Sequence, residues 1–252
     1  MNGRMVTIGS GGSMIPAYVT FPDGPGTHPG VVVAMHIFGI DRFVRGKCDE
    51  LAEAGFVAIA SYLFHRTDVS YEDLGGFDYA DASRWERVPA LKATLKDDEI
   101  VKDMLDAASY LRSLDITGPR LGVTGFCIGG RIAYMMAVRT DVFSACADFY
   151  GGEIELSWGD GLPPLAQTNH LNCALAGYFG NDDYNPTPAA VDRLEEELVK
   201  HKKVYEFHRY EGANHAFNDP FNLDRWREHA GTDSLAKVSE FFRRELTVSG
   251  PG

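Results

Sequence analysis

Cysteine is scarce: four residues, at 48, 127, 146 and 173, in a chain of 252. None falls in a CxxC pair, so neither a disulfide scaffold nor a structural zinc site has support. Long apolar runs are missing too. No stretch approaches the roughly 18 apolar residues of a membrane span. The opening MNGRMVTIGSGGSM lacks an apolar core of signal-peptide length. The expectation is a cytoplasmic protein with free thiols. Positive charge is in deficit, with 24 Lys and Arg against 36 Asp and Glu and a net charge of −12. Such a field repels phosphate backbones and anionic lipid, so nucleic acid and membranes are poor partners, although a local basic pocket stays allowed. Repeats, low-complexity tracts and Ser/Gly/Pro linkers are absent, which favours one domain over residues 1–252. What is there, 44% hydrophobic and 24% charged residues, is the composition of a globular chain with enough apolar surface for a core.

Short apolar runs alternate with helical patterns. Met5–Ile8 and Ile15–Val19 flank a Gly-rich turn and read as a hairpin. Gly30–Met35 and Phe56–Ala60 are continuous apolar runs, the habit of strands buried on both faces of a parallel sheet. Further strands are expected at Leu121–Phe126, Phe143–Tyr150, Ala174–Phe179 and Val204–Tyr210, with helices over 41–54, 97–114, 128–138, 188–201 and within 226–246. Residues 62–95 hold Tyr62, Phe64, Tyr71, Phe77, Tyr79 and Trp85 among charges without sustained periodicity. They read as a functional loop or a cap-like excursion with small helices of its own. Residues 153–172 read as a polar connection. The β-then-α alternation predicts an α/β fold: a mostly parallel sheet, helices on both faces, and a site at the strand C-termini.

Gly125-Phe126-Cys127-Ile128-Gly129-Gly130 lies between a strand and a helix. This is the nucleophile-elbow pattern with Cys in place of Ser. Small residues two before and two after the nucleophile permit the tight turn. The thiol then sits beside a helix N-terminus, whose free N–H groups favour a thiolate and a developing oxyanion. The Ile128 N–H is the expected first oxyanion donor and the Ile37 N–H, in His36-Ile37-Phe38-Gly39, the second. The competing reading of Cys127 is an inert buried thiol. Position argues for chemistry: Asp182 and Asp183 follow one predicted strand and His215 the next, in the chain order nucleophile, acid, base.

With these residues in view, the chain resembles the dienelactone hydrolase family of α/β-hydrolases over roughly residues 5–246. The carriers are His36-Ile37-Phe38-Gly39, the elbow, Phe179-Gly180-Asn181-Asp182-Asp183 with Asn185-Pro186-Thr187-Pro188, and Gly212-Ala213-Asn214-His215-Ala216-Phe217. The resemblance implies a cofactor-free hydrolase with Cys127 as nucleophile and His215 as base. The family's Gly-x-x-Asp spacing implies Asp183 as the acid; Asp182 stays open, because the downstream Pro spacing fits it too.

There are two departures. His36 stands where well-known members carry a Glu that helps control thiol ionisation; it could donate to a thiolate, bond substrate, or merely satisfy loop carbonyls. Asp219 stands where they carry a carboxylate-gripping Arg four residues after the His. A second such Arg would come from the 66–95 segment, where Arg66, Arg84 and Arg87 are available, so a dienelactone carboxylate is in question as substrate. Phe38, Tyr150, Trp158 and the aromatics of 62–95 are expected to shape the pocket, with Arg84 and His36. Cys48, Cys146 and Cys173 read as core, and Asp97-Asp98-Glu99 as an acidic first helical turn. His65, His170, His201, His208 and His229 show no partner pattern. The function expected is hydrolysis of a small activated ester or lactone through a thioester, without metal or cofactor, in a monomer or homodimer. The alternatives are a ligand-binding scaffold without turnover and a hydrolase of another acyl class.

Overall fold

The structure is a computed structural model and describes residues 2–9, 12, 14–75 and 84–247, the side chain of Arg84 excepted. β1 (Arg4–Ile8) and β2 (Ile15–Thr20) form the antiparallel hairpin. β3 (His28–Ala34) lies between β4 (Val57–Ser61) and β5 (Thr117–Phe126), parallel to both. Parallel pairing continues through β6 (Ala145–Phe149), β7 (Ala174–Gly180) and β8 (Tyr205–Tyr210). β2 joins β4 antiparallel, giving the order β1-β2-β4-β3-β5-β6-β7-β8. This eight-stranded, mostly parallel sheet carries the α/β-hydrolase fold.

The continuous apolar runs form its centre. Val31, Val32 and Val33 on β3, and Val57 to Ala60 on β4, lose all solvent exposure. Each buried Val or Ile contributes roughly 1.5–3 kcal/mol relative to exposure. Helices cover both faces. α1 (Arg42–Glu53) and α7 (Glu228–Leu246) meet where Arg243 donates to the Ala54 carbonyl. α4 (Asp97–Arg112) and α5 (Ile128–Arg139) pack on each other and on β3 and β5. α6 (Pro188–Lys200) starts at a Thr187 cap with Pro188 in the first turn, where a missing N–H has no cost.

The excursion after β4 holds two helices, α2 (Tyr71–Gly75) and α3 (Arg84–Ala93). Its aromatics divide. Tyr62 and Phe64 are buried in the core, whereas Trp85 is half exposed; Phe77 and Tyr79 lie outside the described residues. The connection after β6 is not wholly irregular, because Leu165–His170 forms a 3₁₀ helix. β5 starts four residues before its apolar run, the extra turn pairing with the start of β3. Among the described residues no helix is long and apolar enough to cross a membrane.

Strand order reverses at β3: β4 lies on one side and β5 on the other. Sites in open α/β sheets form in the crevice beyond such a reversal. The loop after β3 carries His36, and the turn after β5 carries Cys127.

Candidate active site

Cys127 sits between β5 and α5 with φ 60° and ψ −123°. An L residue rarely adopts this left-handed conformation, and close packing holds it. A Cβ on Gly125 would lie 2.1 Å from the Gly129 carbonyl oxygen, and one on Gly129 would lie 2.3 Å from the Ala34 oxygen. Only glycine fits at either place. The Cys127 N–H donates to the Phe149 carbonyl at 3.1 Å, fastening the turn to β6.

His215 follows β8, and its Nδ1 lies 3.0 Å from Asp183 Oδ2. A carboxylate only accepts, so Nδ1 carries the hydrogen. Nδ1 being taken, Nε2 is the nitrogen that hydrogen-bonds Cys127. Asp183 is buried and its other oxygen accepts the Asn185 N–H at 2.8 Å. Asp182 is exposed, and its N–H ties its loop to the Ala213 carbonyl at 2.9 Å. Of the two aspartates left open by the spacing, the structure brings Asp183 to His215. The His215 ring meets Tyr150 edge-on at 5.0 Å, and Tyr150 donates to Asn218 Oδ1 at 2.5 Å.

Burial opposes charge on both members of the Cys127–His215 pair, but their mutual attraction outweighs it. The thiol is held below its usual value by His215, by His36 and by the Ile128 N–H. His215 is raised to about 10 by the thiolate and Asp183. Each group thus favours the charged form of the other, thiolate facing imidazolium. The other three thiols behave as core. Burial pushes Cys48 and Cys146 far up and half-buried Cys173 to about 12.

Thiol and imidazole open into a cavity of about 180 Å³. Its walls include Phe38, Phe43, Phe126, Trp85, Val88, Tyr150 and Tyr184, and Ile37 and Ile128 line it beside the thiol. Phe38 meets Trp85 edge-on at 4.9 Å, so α3 supplies part of the wall. His36 and Asp219 are buried at the cavity. Lys92 also lines it, bonded to Glu153.

Several pocket expectations need correction. Trp158 does not line the cavity; its indole lies 3.8 Å from the Arg131 guanidinium, and its backbone N–H donates to Asp97 Oδ2 at 3.0 Å. Arg66 is turned away into a bidentate pair with buried Asp103, at 2.6 and 2.7 Å. Arg87 is exposed and off the cavity, and the Arg84 side chain lies outside the described residues. Among the described residues the arginine at the cavity is instead Arg225, missed because nothing in its local pattern marks it. It lies ten residues beyond His215, donates to the His215 carbonyl at 3.4 Å and covers Tyr184 at 5.8 Å. Asn222, Tyr184 and Lys92 were missed for the same reason.

A model of the dienelactone hydrolase family matches residues 15–246. The chain belongs to this family. It is 30% identical over 245 residues to a Synechocystis protein named "Putative carboxymethylenebutenolidase", covering 96% of each chain. It is also 30% identical over 244 residues to a Bradyrhizobium protein named "Probable 2-oxo-3-(5-oxofuran-2-ylidene)propanoate lactonase", covering 96% of this chain and 94% of that one. A crystal structure described as a putative dienelactone hydrolase from Klebsiella pneumoniae superposes with a TM-score of 0.83 at 26% identity, over 96% of this chain and 98% of that one. The sheet and the helices on its faces are thus those of a dienelactone hydrolase-family hydrolase.

Proposed function

We propose that this dienelactone hydrolase-family member hydrolyses a small activated ester or lactone through a thioester on Cys127. The observation that carries the reading is the meeting of three groups from three strand ends, the Cys127 thiol, His215 and Asp183, at the mouth of a small apolar cavity. In the first step the Cys127 sulfur attacks the carbonyl carbon and forms the C–S bond. The oxyanion is met by the Ile128 and Ile37 N–H groups. His215 then gives its Nε2 proton to the departing oxygen, while Asp183 keeps the ring in place. A water molecule next attacks the thioester and gives its proton to His215, and the thiolate leaves.

A thiolate is itself a good leaving group, so an ordinary alkoxide would be outrun and the first step would reverse. An enol or phenol leaving oxygen avoids this, which favours lactones of enols and aryl esters. The aromatic walls suit a flat, conjugated acyl group. The two similar proteins named as acting on such lactones agree with this class. Arg225 offers the cavity a cation from a position other than the usual one.

The test is hydrolysis of a small aryl ester and of an enol lactone by wild type and Cys127→Ala, with circular dichroism confirming that both are folded. Turnover confined to wild type is expected. Turnover retained in folded Cys127→Ala sinks the thioester route. Tight binding without turnover by wild type points to a ligand-binding scaffold.

A further inference from the structure

The elbow and the loop that carries His215 are fastened to the same two residues at the end of β6. The Cys127 N–H donates to the Phe149 carbonyl at 3.1 Å. The next residue, Tyr150, meets the His215 ring edge-on at 5.0 Å and the Phe217 ring edge-on at 5.4 Å, and its hydroxyl donates to Asn218 Oδ1 at 2.5 Å. Phe149 and Tyr150 thus gauge the thiol's turn from one side and the imidazole's loop from the other. Tyr150, Phe217 and Asn218 are all buried. Water does not replace a lost partner there, so the hydroxyl and the amide hold each other firmly.

Tyr150 is kept in place against its own backbone preference. Its φ of 43° is left-handed, which a bulky residue rarely adopts. Three neighbours keep it there. Its N–H donates to the Tyr178 carbonyl on β7 at 3.0 Å. The Gly151 N–H donates to Asp148 Oδ1 at 2.8 Å. A Cβ on Gly151 would lie 2.4 Å from the Arg131 backbone nitrogen, so the turn is pressed against α5. On the other loop Ala216, beside His215, is left-handed too, with φ 63°, and the Asp219 N–H closes that loop on the Ala216 carbonyl at 3.1 Å. Backbone strain on both sides of a ring that must be aimed points to a functional constraint.

We infer that Tyr150, through its bond to Asn218, is a positioning residue: it sets the spacing of the Cys127 sulfur and His215 Nε2. The inference rests on the Cys127–His215 pair of the function proposed above. Asp183 holds the imidazole only at Nδ1. One bond fixes one end of the ring and leaves tilt about that bond to be resisted by its neighbours. Two rings stand beside it, Tyr150 at 5.0 Å and exposed Tyr184 at 5.8 Å. Tyr150 is the nearer, and it is bonded to the base's own loop three residues on. A hydrogen bond weakens steeply as its angle drifts. A small loosening of that loop is therefore read in how readily the thiol ionises.

The experiment is a titration without substrate, so the part Tyr150 plays as a cavity wall does not enter. Alkylation of Cys127 by iodoacetamide is followed by mass spectrometry from pH 4 to 9 in wild type, Tyr150→Phe, Asn218→Ala, their double variant and His215→Gln. Cys127→Ala gives the background of the other three thiols. Tyr150→Phe keeps the ring and removes only the hydroxyl. Asn218→Ala removes the same bond from its other end and carries the test if the first variant does not fold. The expected result is a midpoint about half a pH unit or more above wild type in each single variant, and below that of His215→Gln. The double variant should lie no higher than the higher single one, because all three lose one bond. A midpoint unmoved in a folded single variant, with only the melting temperature lowered, makes the bond structural and overturns the inference. So does a double variant shifted by the sum of the two. A midpoint unmoved in His215→Gln overturns the proposed pair and this inference with it; one that moves there and in neither single variant overturns the inference alone.

Discussion

The molecule holds two histidine–aspartate pairs of the same length with different surroundings. His215 Nδ1 lies 3.0 Å from Asp183, and His65 Nε2 lies 3.0 Å from Asp103. Both carboxylates are buried. Asp103, however, also receives two N–H groups from Arg66, and no nucleophile is hydrogen-bonded to the His65 ring among the described residues. Asp183 spends its second oxygen on one backbone N–H, and its histidine ends on a thiol at a cavity. A buried His–Asp pair is therefore not in itself a site. What distinguishes the two is whether the outer nitrogen of the ring reaches a group that can react, in a space that can hold a substrate.

The contrast is broken most strongly by exchanging the same substitution between the pairs. His215→Gln is expected to lower kcat/KM for an aryl ester by about 10³–10⁴-fold, with little change in melting temperature. His65→Gln should leave kcat/KM within about two-fold of wild type while lowering stability by about 1 kcal/mol. Steady-state kinetics beside a thermal melt reads both. Asp183→Asn comes next, with a loss of about 10²–10⁴-fold in kcat, because an amide can offer Nδ1 the wrong partner.

Arg66→Met attacks the structural pair. It leaves Asp103 buried with His65 alone and is expected to lower stability by about 1–3 kcal/mol at neutral pH. Burial opposes the charge on Asp103, but His65 and Arg66 outweigh it and hold the carboxyl below its ordinary value. The stabilisation is thus present above the unfolded carboxylate value near pH 4 and is lost as pH falls through the lower folded one. The gap in melting temperature between Arg66→Met and wild type should close as pH is lowered toward 3.

A further effect runs the other way. Asp148 on β6 is buried, accepts only the Gly151 N–H at 2.8 Å, and has an unpartnered Oδ2. Burial raises it to about 7. The folded chain holds this proton where the unfolded chain has released it, so stability falls as pH rises from about 4 to 7. Asp148→Asn should be neutral below about pH 4 and more stable than wild type at pH 8, as a melt at the two values would show.

Much of this was legible in the residues. Val31–Val33 and Val57–Ala60 announce buried parallel strands because a strand covered on both faces needs no polar alternation. The elbow is legible because its geometry demands small residues at fixed offsets, and His215 because a small-residue loop follows a strand. The partners of side chains were not. Asp103 lies 38 residues from His65, and Asp183 32 from His215, so only the folded sheet introduces them. Spacing alone left Asp182 and Asp183 open, because both follow β7 and only the loop's turn buries one. Aromaticity alone suggests a pocket role for Trp158, yet its ring lies on the buried Arg131 cation. Arg225 was passed over because a charged residue in a polar stretch looks like a solvated one.

The three groups of the proposed site hang on the ends of β5, β7 and β8, and β8 is an edge strand and the last made. Their spacing is therefore a property of the finished sheet and of no shorter piece. A ribosome-bound chain already displays the elbow sequence, but its thiol there is an ordinary one without the His215 imidazole beside it. On the proposed function, it gains its nucleophilic character only when the final strand docks. A chain with this wiring is chemically quiet while it is being built, and the moment Cys127 becomes reactive can serve as a clock for the completion of folding.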